Sequence, residues 1–218
     1  MVKDSGFRLR FGKRTDGGRQ NLQQAWATPV HTGLDRDDGA CVKTMKTLYL
    51  LRHGKSAWND ATLSDHDRPL APRGAKAATL IGRQLRLDGF RADCILCSTA
   101  RRAVDTLEIV TAQLDGHALE MPVHQERGLY LTGEKALLDR LRLLPDKVRT
   151  AMLVGHNPDL HHLAQDLAGF GSDEDLRNLS AKFPTAALAV LEFPVARWSD
   201  IEPRAGTLTR FLIPKKLT

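Results

Sequence analysis

Three uninterrupted apolar runs, at residues 47–51, 94–97 and 151–154, each stop abruptly at a polar or glycine-bearing turn. Short continuous runs without alternation are the pattern of strands buried on both faces, as in a parallel sheet. Between them the period changes. Ala75, Ala78, Leu80, Ile81, Leu85 and Leu87 recur at roughly helical spacing after Arg73-Gly74. Ala103, Leu107, Val110 and Leu114 do so after Ser98-Thr99, two residues suited to capping a helix N-terminus. A further helix is expected from Glu134 to about residue 144, ended by Pro145, and another from Asn157-Pro158, with Asn as cap and Pro at the first helical position. Residues 186–193 and 207–213 read as two more strands, joined by a loop containing Trp198 and Pro203. Strands alternating with helices predict an α/β fold: a mostly parallel sheet covered on both faces, with right-handed crossovers.

Residues 1–44 break this pattern. They are rich in Gly, Arg, Asp and Gln and keep no sustained period, so they are expected to be an unstructured N-terminal extension to a single domain over residues 45–218. The extension has no apolar segment of the length a secretory signal needs, and its Asp residues argue against a transit peptide, so a cytoplasmic location is expected. Met45 stands directly before the first strand, and an upstream choice of start codon would also account for the extension. The extension holds eight basic residues against five acidic ones, half of the net charge of +6. The rest is spread thinly, with no basic run carrying interleaved aromatics, so no nucleic-acid partner is expected. No apolar run approaches the roughly 20 residues of a membrane span. Three cysteines do not make a disulfide framework. Cys94 and Cys97 form a C-x-x-C, but residues three apart on a strand point to opposite faces, so they are expected to be two core thiols rather than a metal or redox pair.

The chemistry lies where the three runs stop. The first leads into Arg52-His53, the second into Ser98 and then Arg101-Arg102, and the third into His156. In open α/β sheets the ligand crevice lies beyond the carboxyl ends of the strands, so these groups should converge there. Two of the strands lead promptly into helices whose N-termini face the same place, which favours an anion. Guanidinium forks match phosphoryl oxygens, and no cluster of Asp or Glu near the strand ends suggests a Mg²⁺ site. The nucleophile must then come from the protein. A neutral imidazole at His53 can serve if its other nitrogen donates to a carbonyl and fixes the tautomer. His161 and His162 are expected to form a solvated helix face, since neither lies four residues from His156 as helical zinc ligands would.

Several motifs, taken in order, carry a family resemblance. They are Leu51-Arg52-His53-Gly54 with Trp58-Asn59, Arg68-Pro69-Leu70 with Arg73-Gly74, Ser98-Thr99-Ala100-Arg101-Arg102-Ala103 with Thr106, Val154-Gly155-His156-Asn157-Pro158, and Phe183-Pro184-Thr185-Ala186-Ala187. Over residues 45–218 the chain resembles the histidine phosphatase superfamily in its SixA-like phosphohistidine phosphatase branch. The resemblance implies a three-layer α/β/α sandwich, phosphoglycerate mutase-like. It also implies His53 as the phosphorylated nucleophile, Arg52 and Arg102 as phosphate-binding arginines and His156 as the second histidine on the phosphoryl oxygens. Asn59 would add a substrate contact, and no metal or cofactor is implied. Many members of the wider family protonate an alcohol leaving group with a Glu, for which the candidate here is Glu126. A phosphoramidate leaves as an easily protonated imidazole and needs less help. The expected substrate is therefore phosphohistidine on a partner protein. The alternative is a phosphoester phosphatase or mutase acting on a small phosphorylated metabolite, and a module that binds phosphorylated partners without turnover is a third reading.

Overall fold

The computed structural model describes residues 44–114 and 121–217. The chain divides between residues 42 and 43, and every described residue belongs to the second unit, Lys43–Thr218. The expected N-terminal extension lies outside the described residues, apart from its last position.

The three apolar runs form β1 (Lys46–Arg52), β2 (Cys94–Ser98) and β4 (Thr150–Gly155), joined in one sheet by β3 (Val123–Glu126), β5 (Ala168–Gly171), β6 (Leu188–Phe193) and β7 (Gly206–Leu212). The strand order is β3-β2-β4-β1-β6-β7-β5. From β3 to β1 every pairing is parallel. β6 then runs antiparallel to both β1 and β7, and β5 is parallel to β7. The expectation of a mostly parallel sheet holds for the half that carries the three runs. Beyond β1 the direction reverses at β6, and residues 194–205, which hold no α-helix, return the chain antiparallel to it as β7.

Helices α1 (Pro72–Leu87) and α2 (Arg101–Thr111) pack together on one face. There Ile81, Leu85, Leu107 and Val110 form a core with Leu51, Ile95, Cys97, Met152 and Val154. Burying each such Leu or Ile contributes about 1.5–3 kcal/mol. The alternate strand residues Leu50, Cys94, Leu96 and Leu153 are equally buried but outside that cluster, as the two-residue strand period requires. They turn to the other face, where α3 (Glu134–Arg142), α4 (Asp159–Leu167) and α5 (Asp173–Ala181) pack in series. Leu160 of α4 and Leu153 of β4 both flank Gly155 there. Cys94 and Cys97 thus sit on opposite faces as free thiols, and burial pushes both away from the thiolate. Among the described residues no helix is long and apolar enough to cross a membrane.

Both expected caps differ from the structure. The N-cap of α2 is Ala100, without a side-chain bond, because Ser98 and Thr99 are engaged elsewhere. α4 starts at Asp159 with Pro158 as N-cap, and the Asn157 amide instead donates to the carbonyl of Phe183. Three further elements lie outside the expected pattern. β3 is a four-residue edge strand with no fully buried side chain, and β5 is equally short and contains Gly169 and Gly171. α5 carried a readable signal: Ser172 accepts from the Asp175 N–H at 3.1 Å, and Asp173, Glu174 and Asp175 fill the first turn.

Candidate active site

The parallel register sets the ends of β1, β2 and β4 level: Arg52 lies opposite Gly155, and Cys97 and Leu51 both lie opposite Val154. The next residue, His53, is stitched from both sides. Its N–H donates to the Gly155 carbonyl at 3.0 Å, and its carbonyl accepts from the Ala186 N–H at 3.1 Å. Gly54 then passes so close to helix α1 that a Cβ would lie 2.8 Å from the Gly74 carbonyl oxygen, which excludes any side chain. Its N–H donates to Thr106 Oγ1 at 2.9 Å, and that hydroxyl donates to the Arg102 carbonyl at 2.6 Å. The turn after β1 is thereby tied to the first turns of α2.

The rings of His53 and His156 stand 4.9 Å apart, centroid to centroid. His53 Nδ1 lies 2.6 Å from the Gly54 carbonyl oxygen and therefore carries the proton; Nε2 keeps its lone pair and accepts from Arg102 Nε at 3.4 Å. Burial, supported by the Arg102 and Arg52 guanidiniums, lowers the His53 pKa to about 3. Ser98 Oγ accepts from the Ala100 N–H at 3.3 Å and lies 2.8 Å from His156 Nε2. With the serine proton assigned to Nε2, the proton of the neutral His156 ring sits on Nδ1, a buried atom with no protein partner. Burial first, then the neighbouring His53 and Arg102, lowers its pKa to about 3 as well. Both imidazoles are neutral at pH 7.

Two guanidiniums flank them. Arg52 donates through Nη1 to the Phe183 carbonyl at 2.7 Å and has its Nε buried without a partner. Arg102, 5% exposed, donates from Nη1 to the backbone carbonyl of Asp65 and from Nη2 to Asp65 Oδ2 at 2.9 Å. The Tyr130 hydroxyl donates to the same Oδ2 at 2.6 Å. The Tyr130 ring packs edge-on against both His156 and His66, at 5.1 and 5.0 Å. Tyr130 first, then Arg102 and Arg68, hold the Asp65 carboxyl below the usual carboxylate range, against the opposing effect of burial.

His53, His156, Arg52, Arg102 and Ser98 therefore meet at one crevice. Arg101 does not join them: it is exposed and lies 3.9 Å from Asp105. Asn59 is exposed in the loop after β1 and hydrogen-bonds to none of these groups. Glu126 is clamped by Arg140 of α3 through two bonds of 2.8 and 2.7 Å, and it is not among the groups that shift the two imidazoles. The free helix N–H groups expected at the crevice are partly consumed, since the Arg101 N–H donates to the His66 carbonyl at 3.0 Å. His161 is not the solvated residue expected; its Nε2 binds the Leu179 carbonyl at 2.6 Å and pins α5 to α4, whereas His162 is exposed. Asp65, His66 and Tyr130 went unread. Asp65 sits in the charged stretch Asp65-His66-Asp67-Arg68, which has the pattern of a solvated loop, and Tyr130 has no local motif.

The site therefore combines two permanent cations, two neutral rings and one carboxylate already shared by Arg102 and Tyr130. That arrangement favours an anion and offers one unprotonated ring nitrogen, His53 Nε2, as a nucleophile beside it. Among the described residues no group of three or more His, Cys, Asp or Glu side chains could hold a metal ion.

Comparison with known proteins agrees with this geometry. The family description "histidine phosphatase superfamily (branch 1)" matches residues 48–130. An uncharacterised protein of Mycobacterium tuberculosis is 37% identical over 167 residues, which cover 76% of this chain and 100% of that one. Among solved structures, one from Agrobacterium tumefaciens, provisionally assigned as a phosphohistidine phosphatase SixA, is 29% identical with a TM-score of 0.65, covering 78% of this chain and 98% of that one. A second, from Nakamurella multipartitia and similarly assigned, is 27% identical with a TM-score of 0.64, covering 78% and 96%. The chain belongs to the histidine phosphatase superfamily, in its SixA-like group. As a member it is a hydrolase of the phosphatase class.

Proposed function

We propose that the chain hydrolyses phosphohistidine on a partner protein, without a metal, through a phosphoryl group carried on His53 Nε2. The observation that carries this reading is the tautomer of His53: Nδ1 is committed to the Gly54 carbonyl, so the lone pair sits on Nε2, beside Arg102, in a ring whose centroid lies 4.9 Å from that of the second imidazole. In the first step Nε2 attacks phosphorus, the substrate P–N bond breaks, and its electron pair stays on the departing ring nitrogen. In the second, water attacks phosphorus, the P–Nε2 bond breaks, and the pair returns to His53 with release of phosphate. The Arg52 and Arg102 guanidiniums and the Nδ1–H of His156 neutralise the phosphoryl oxygens, whose charge grows in the transition state. The two SixA-assigned structures support the P–N substrate, and so does Glu126, whose pairing with Arg140 removes it from service as an acid for an alcohol leaving group.

Turnover of a phosphohistidine peptide should be compared with that of 3-phosphoglycerate, with and without EDTA, for the wild type and His53→Ala. The expected result is faster turnover of the peptide, no change with EDTA, an acid-labile, base-stable phosphate trapped on wild type, and none of these signals in His53→Ala. Faster turnover of 3-phosphoglycerate would favour the small-metabolite alternative, and a catalytically competent His53→Ala would refute the nucleophile.

A further inference from the structure

We propose that Asp65 is the specificity residue for the leaving group, its carboxylate receiving the ring N–H of a substrate imidazolium as the P–N bond breaks. This rests on the P–N reading above and adds what selects for it. Asp65 is the carboxylate whose charge reaches both His53 and His156. It is not used up by its partners: Tyr130 and Arg102 share Oδ2, while Oδ1 faces Arg68 Nη1 at 3.5 Å, longer than a hydrogen bond. Its side chain is 48% exposed, so a donor arriving from solvent can reach the carboxylate. Tyr130, edge-on to both His66 and His156, places an aromatic ring beside the carboxylate, against which a second planar ring packs.

The chemistry of the two leaving groups then separates them. An ionised carboxylate has no proton to give, and its charge opposes the negative charge that grows on the oxygen of a departing alcohol or phenol. A phosphohistidine protonated on the ring nitrogen remote from phosphorus behaves in the opposite way. When its P–N bond breaks, the electron pair stays on the cleaved nitrogen, the remote proton stays in place, and a neutral imidazole leaves. Asp65 gains and loses no proton; it stabilises the cationic form that is ready to depart. The competing account is that Asp65 serves only to hold Arg102.

Asp65→Asn separates the two accounts. The amide keeps the shape of the side chain and an acceptor oxygen for Tyr130 and Arg102, and the backbone carbonyl still receives Arg102 Nη1, but the charge is gone. The kcat/KM values for a phosphohistidine peptide and for p-nitrophenyl phosphate are to be measured on the full chain, wild type and variant. The ratio of the first to the second should fall at least about tenfold in the variant, as loss of a charged hydrogen-bond partner does. Equal losses on both substrates would assign Asp65 to holding Arg102 alone, and an unchanged ratio with vigorous wild-type turnover of phosphohistidine would overturn this inference while leaving the P–N reading intact. Wild type that cleaves p-nitrophenyl phosphate but not phosphohistidine would overturn both.

Discussion

Two neutral imidazoles buried side by side make the fold sensitive to acid in a way that can be worked out in advance. His53 and His156 are 8% and 2% exposed, and each has a pKa of about 3 against 6.5 in an unfolded chain. Because the folded value is the lower one, the unfolded chain binds protons that the folded chain excludes. The contribution is complete above about pH 6.5 and is lost as the pH falls towards 3. Each pH unit in that window removes about 1.4 kcal/mol per ring, so lowering the pH from 6.5 to 5 removes about 2 kcal/mol from each and about 4 kcal/mol from the pair. For a domain stable by about 5–15 kcal/mol this is a large fraction. Urea unfolding at pH 7 and pH 5 should be measured for the wild type and for the double variant His53→Asn, His156→Gln. Lost packing weakens the variant equally at both pH values, so the pH-dependent part isolates the two rings. A difference between the proteins of under about 1 kcal/mol in that part would show that the rings titrate freely, and the argument for an unprotonated nucleophile would fail with it.

Arg102→Ala should lower kcat/KM by about a hundredfold or more, as loss of a transition-state charge contact does, and Arg102→Lys should recover little because an ammonium cannot reach His53 and Asp65 with one planar fork. Near-normal turnover in the alanine variant would remove Arg102 from the site. Ser98→Ala should cost about tenfold in kcat/KM by freeing the His156 tautomer, visible as a change in its ring ¹⁵N shifts; an unchanged ring spectrum would refute the hydroxyl as the lock. Gly82→Ala would gain about 0.5–1 kcal/mol in an open helix, but here the new Cβ meets the Val110 carbonyl oxygen at 2.7 Å. Thermal or urea unfolding should show a net loss of about 1–3 kcal/mol instead, and a stabilised variant would mean that α1 and α2 can part.

The strands that carry chemistry were readable because β1, β2 and β4 are buried on both faces, which leaves an unbroken apolar run with a sharp polar end. Edge elements lack that constraint. β3 and β5 bury little, so their four residues have no pattern to show. Arg52, His53, Arg102 and His156 could be gathered on paper because each stands at or just past a strand end, where topology alone brings distant residues together. Asp65 and Tyr130 come from a long loop and from the position just after the short 3-10 turn Arg127–Leu129, and nothing in their local sequence says which way they fold back. Ser98 was legible as a strand-end group but not as the partner of His156, because its residue type suits a helix cap equally well and only the position of His156 decides which partner it takes. Glu126 shows the limit of the reverse inference, since a carboxylate at a plausible distance along the chain was claimed by Arg140, whose proximity depends on how α3 lies against the sheet.

The reversal of direction between β1 and β6 has a consequence for how such a crevice can diversify. Three segments reach it on leaving a strand, but residues 182–187 reach it on the way into one, with Leu188 already paired to Leu51. Lengthening or shortening that incoming stretch would reshape one rim while the ladders between β2, β4 and β1 kept their alignment. Because the Phe183 carbonyl receives Arg52 and the Ala186 N–H holds the His53 backbone, such an edit also shifts the guanidinium and the ring unless those two contacts are kept, so this margin can vary only between its anchors.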